Sequence, residues 1–130
     1  MHNARWICTG WTVFGIALGG VAWAHGDLAP AHGGRMVESR GQVLELAVRE
    51  KTVDLYLTDH EGRPAGVDGA AGKVLFLVHG KKVETLLKPA GENRLSGEAS
   101  TEVTGFESAV IHVEKGGQSL SGRISAQRGL

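Results

Sequence analysis

The chain has 130 residues, with 14 basic and 14 acidic side chains, and only 5% of it is aromatic. That length holds one domain, and the neutral charge balance excludes electrostatic steering toward nucleic acid or an acidic membrane. So few aromatic rings argue against a surface that stacks sugars or bases.

The first segment reads as an export signal. Residues 1–11 carry Arg5 and no acid, and residues 12–23 are apolar around Val13, Phe14, Ile16, Leu18 and Val21. About a dozen apolar residues fall short of the roughly 17–25 that a membrane-spanning helix needs. Ala22-Trp23-Ala24 then offers a small-x-small cleavage site. The expectation is a signal peptide over 1–24, export to the periplasm, and no membrane attachment once it is removed. Cys8, Trp6, Trp11 and Trp23 would leave with it. The processed chain would then have no disulfide and no thiolate ligand, which fits a bacterial periplasm.

Residues 25–34 are rich in Gly, Ala and Pro and are expected to form a flexible N-terminal arm. A β-domain over 35–130 follows, with turn signals every eight to twelve residues. Arg35–Glu38 is a short first strand. Val43–Arg49 puts Leu44, Leu46 and Val48 on one face and Glu45 on the other, and Thr52–Thr58 does the same with Val53, Leu55 and Leu57. These two runs read as a hairpin about Glu50-Lys51. Asp59–Pro64 opens a polar loop. Lys73–His79 is apolar on both faces, as a central strand would be. Lys82–Lys88 ends at Pro89, Leu95–Gly97 is brief, Gly105–Glu114 is long, and Leu120–Ser125 closes the domain after a Gly116-Gly117 turn. No window shows a capped helical period. Seven or eight short antiparallel strands predict an all-β immunoglobulin-like β-sandwich, with a small closed barrel as the alternative.

Chemistry-bearing residues concentrate in the arm. Cleavage after Ala24 makes His25 the first residue, so that its amine and imidazole form one chelate for a metal with a nitrogen preference, such as Cu(II) or Ni(II). Cleavage after Ala22 puts His25 third, where the amine, two amides and the ring make a square-planar set. His32 and Asp27 are the nearest further donors. Asp59-His60-Glu61 places three donors at one loop tip, of which His60 is the candidate ligand. His79 and His112 read as strand histidines, with His112 on the exposed face beside Glu114. Lipase-type, zincin and phosphate-loop motifs are all missing, so no enzymatic activity is expected.

The run A-H-G-D-L-A-P-A-H-G-G, then E-L-A-V, L-Y-L-T-D-H-E-G-R-P and L-K-P-A-G-E-N-R-L, resembles a group of small exported proteobacterial β-domain proteins, mostly uncharacterised, associated with heavy-metal or copper efflux. Similar patterns occur in β-rich regions of periplasmic adaptor subunits of such pumps. The resemblance spans most of residues 24–96. It implies a periplasmic β-domain in metal homeostasis and supplies no ligand set. Periplasmic copper carriers are similar in pairing a terminal histidine with a small β-sandwich. Their methionine-rich segments are missing here, and only Met36 follows the signal. The expected function is therefore a periplasmic accessory protein that binds a divalent transition metal, copper foremost with Zn or Ni as options, through His25, His32, His60 and Asp27. The alternatives are a module that docks on an efflux adaptor without metal and, more remotely, an oxidase-like copper enzyme.

Overall fold

A computed structural model describes residues 29–125. The expected signal peptide, His25 and Asp27 lie outside them. Eight strands follow in order: β1 (Arg35–Ser39), β2 (Gln42–Arg49), β3 (Thr52–Asp59), β4 (Ala71–Val78), β5 (Lys81–Pro89), β6 (Arg94–Glu98), β7 (Ser108–Lys115) and β8 (Gln118–Ser125). Among the described residues there is no helix.

All neighbours are antiparallel, in the spatial order β1-β2-β3-β6-β5-β4-β7-β8. Two long-ladder groups, β1-β2-β3-β6 and β5-β4-β7-β8, are joined only where Lys88 and Pro89 pair with Ser96 and Leu95. The sheet then curls until β1 meets β8. Side chains close that seam. Val37 packs over Gly122, where an added Cβ would lie 2.6 Å from a Val37 methyl. The Ser121 N–H donates to Ser39 Oγ at 3.0 Å, and Arg35 Nη1 donates to the Ser125 carbonyl at 3.2 Å. The all-β antiparallel expectation holds, with eight strands. Because one continuous order runs through all eight, the architecture is a nearly closed barrel-like sheet.

Period-two alternation decides what fills it. Leu44, Leu55, Leu57, Val74, Phe76 and Ile111 are fully buried and point inward from four different strands, β2, β3, β4 and β7. Each such side chain contributes about 1.5–3 kcal/mol relative to exposure. Residues 99–107, part of which was expected in the seventh strand, instead form a loop across one end. It inserts Val103 and Phe106 into the core, is anchored by the Val103 N–H to the Glu50 carbonyl at 3.0 Å, and sets Phe106 edge-on against Phe76. His79 is not the end of β4. It forms the two-residue turn with Gly80, both at positive φ, the conformation that matches hairpin twist.

Candidate functional site

Glu45 points outward from β2, since Leu44 and Leu46 on either side point in. An outward carboxylate on a sheet face is ordinarily wet. Glu45 is only 6% exposed, because residues 31–34 cross over it as a strap. Its carboxylate accepts the backbone N–H of Ala31 at 3.2 Å, of His32 at 2.8 Å and of Gly34 at 2.9 Å. It also faces His32 Nδ1 at 3.1 Å. Four charge-assisted contacts offset the desolvation that would otherwise make a buried carboxylate costly. Burial pushes the Glu45 carboxyl up, but the Gly34 N–H, the His32 ring and the His32 N–H outweigh it and hold the group below its usual value.

The strap needs its sequence. At Gly34 any Cβ would overlap the Leu46 carbonyl oxygen, and Gly33 turns at φ 72°. The H-G-G run is thus what lets the chain lie flat on β2.

His32 is placed twice over. Its ring lies parallel on Tyr56, with centroids 3.5 Å apart and 3° between planes. Tyr56 is opposite Glu45 in the β2–β3 ladder, so one cross-strand pair grips the ring by face and by edge. A carboxylate can only accept, so Nδ1 carries a proton, and in the neutral ring the lone pair is on Nε2. The side chain is 41% exposed, and among the described residues Nε2 has no hydrogen-bond partner. Asp54, two residues before Tyr56 on the same outer face, is 8% exposed, with Arg94 Nη1 3.6 Å from its Oδ1. Two carboxylates against one guanidinium make this face a better host for a cation than for an anion.

The other candidates sit elsewhere. Asp59 spends its carboxylate on its own loop. Oδ1 accepts the Glu61 and Arg63 N–H groups at 2.8 and 2.9 Å, and Oδ2 faces Arg63 Nε at 3.0 Å. The Arg63 backbone N–H is the main cause that lowers its pKa. His60 projects from that loop, 68% exposed, with Nε2 3.8 Å from Glu61. Asp59 is three strand positions beyond Tyr56, about 10 Å at the ordinary rise, so the structure does not bring His60 to His32. His112 Nε2 contacts Glu114 Oε2 at 2.9 Å on the exposed face. Among the described residues no group of three His, Cys, Asp or Glu side chains is arranged to hold a metal ion.

Glu45 and Tyr56 are the site residues that sequence reasoning missed. A signal existed: counting back from the Glu50-Lys51 turn pairs Glu45 with Tyr56, the chain's one tyrosine. No family model, curated protein or solved structure matches this chain.

Proposed function

We propose that this is a periplasmic accessory protein that binds a divalent transition metal, copper foremost with zinc or nickel as options, through His32 Nε2. The observation that carries the reading is the buried Glu45 carboxylate on His32 Nδ1. Metal-ligating histidines donate their other ring nitrogen to a carboxylate, which fixes the tautomer and raises the basicity of the ligating nitrogen. The Tyr56 stack adds orientation, and the face has net negative charge. One imidazole does not hold an ion, and the remaining donors belong to the arm. Asp27 and His25 precede His32 by five and seven residues, a contour of about 17 and 24 Å, ample to fold back. His60 is a separate donor at the loop tip. The reading takes the signal peptide over 1–24 as removed.

The test is titration of Cu(II), Zn(II) and Ni(II) into protein purified from the periplasm, its N-terminus confirmed by mass spectrometry. Replacing His32 with alanine is expected to weaken binding 10-fold or more, and His60→Ala to change it little. Equal affinity in wild type and His32→Ala contradicts the proposal.

A second reading, docking on an efflux adaptor without metal, draws on Leu86 and Val110. They are 66% and 41% exposed on the outer face of β5 and β7, where apolar area is suited to a partner. Absence of specific metal binding by the wild type would favour it.

A further inference from the structure

The strand registers lay out the outer face of β5, β4, β7 and β8 in rows. Leu75 pairs with Glu84 on one side and with Val110 on the other, and Val110 pairs with Arg123. The row Glu84-Leu75-Val110-Arg123 therefore crosses all four strands as acid, apolar, apolar, base. It is flanked by Leu86-Lys73-His112-Ser121 and by Lys82-Leu77-Ser108-Ser125. These side chains point outward, because Val74, Phe76, Ala109 and Ile111 between them are fully buried. Leu86 and Val110 are exposed, and Leu75 and Leu77 are half-buried. Glu84 gives one carboxylate oxygen to Lys73 of its own copy at 3.4 Å, and both side chains stay about half exposed. Arg123 is exposed, and among the described residues no acid pairs with it.

We infer that this face is where two copies of the chain pack together, related by a two-fold axis that lies between them and runs parallel to the strands. Such an axis reverses each row over its counterpart. Glu84 then stands over Arg123 of the partner subunit, and Leu75 over Val110 of the partner subunit, and symmetry makes both contacts twice. An axis running across the strands would instead set Glu84 against Glu84 and Arg123 against Arg123, which like-charge repulsion disfavours. The order of charges along the row thus selects one packing. Stacked sheets lie about 10 Å apart, a gap that a glutamate and an arginine span together. Four strands about 4.8 Å apart and seven residues rising about 3.3 Å each make a plate of roughly 450 Å². Two such plates come to about 900 Å² in projection, and more with side-chain relief, near the lower bound of about 1,200 Å² for a specific interface. The association is accordingly weak and concentration dependent. It is independent of the metal reading. β2 and β3, which carry Glu45 and Tyr56, lie four places away from β4 and β7 in the order of eight, on the opposite wall, so both His32 sites stay open in the pair.

The experiment is sedimentation equilibrium of the purified protein over a wide range of concentration, with a chelator present so that no metal bridges two copies. Wild type is compared with Glu84→Lys, with Arg123→Glu, with the double variant, and with an equimolar mixture of the two single variants. The expected result is a concentration-dependent dimer for wild type. Each single variant sets like charges together twice and is expected to weaken association about 10-fold or more. Mixing the two single variants is expected to restore the dimer, because every facing pair is then of opposite charge. Combining both changes in one chain is expected to restore it for the same reason. Both positions are exposed, and recovery in the mixture shows that each single variant is folded. A wild type that stays monomeric overturns the inference and leaves Leu86 and Val110 to a partner of another kind. A dimer that both single variants leave intact overturns it by placing the contact elsewhere. Loss in the single variants without recovery in the mixture overturns the two-fold arrangement. None of these outcomes touches His32, whose metal binding is read by its own titration.

Discussion

Glu45 carries the strap as a charged acceptor, and its effect is therefore pH dependent. Its pKa in the folded protein is below the ordinary 4.5. A depressed carboxyl contributes stability that is complete above the unfolded value and is lost as pH falls through the folded one. The strap is expected to stay closed through neutral pH and to release below the usual carboxylate range. The His32 ring signals and the emission of Tyr56 read this directly in a chain from His25 onward, which has no tryptophan. Glu45→Gln is expected to loosen the strap already at neutral pH and to abolish the acid step. Hydrogen bonds to a charged group contribute about 1.5–3 kcal/mol, and the amide keeps only part of that. An acid transition unchanged in Glu45→Gln would assign the titration to another group.

At the scale of the element, the strap depends on close approach to β2. Gly34→Ala would drive a methyl into the Leu46 carbonyl oxygen. The strap is at the surface and can lift, whereas β2 is fixed between β1 and β3. The expected outcome is loss of the His32–Tyr56 stack, seen as altered Tyr56 emission, with a modest destabilisation of about 1–3 kcal/mol. Stack and stability both unchanged would mean that the strap does not lie as described. The strands themselves were legible because period two, turn glycines and Pro89 agree along most of the chain. The strap was not. Ala, Pro and Gly in residues 29–34 carry no periodicity, and their partner is a single side chain far along the sequence. Glu45 was legible only as lying opposite the apolar face, because alternation reports which face a residue occupies and is silent on whether that face is covered. Likewise His79 continued the apolar phase of Leu75 and Leu77, yet the turn took it.

For the whole molecule, closure follows from how the two four-strand groups meet. β5 and β6 share only a short pairing, and Val37 over Gly122 joins β1 to β8. The sequence pattern allowed a sandwich or a barrel, since both need the same alternation and the choice lies in strand order. The barrel wall is what makes the candidate site specific. It gives one histidine of a Gly-rich arm a fixed plane on Tyr56 and a fixed proton on Nδ1. The measurement closest to that claim is the ¹⁵N shift of both His32 ring nitrogens, without and with Zn(II). The structure predicts a protonated Nδ1 in both states, and the proposed metal binding predicts an Nε2 resonance that moves from free to metal-bound. A ring with Nε2 protonated in the neutral form, or with both nitrogens unmoved by zinc, would contradict it.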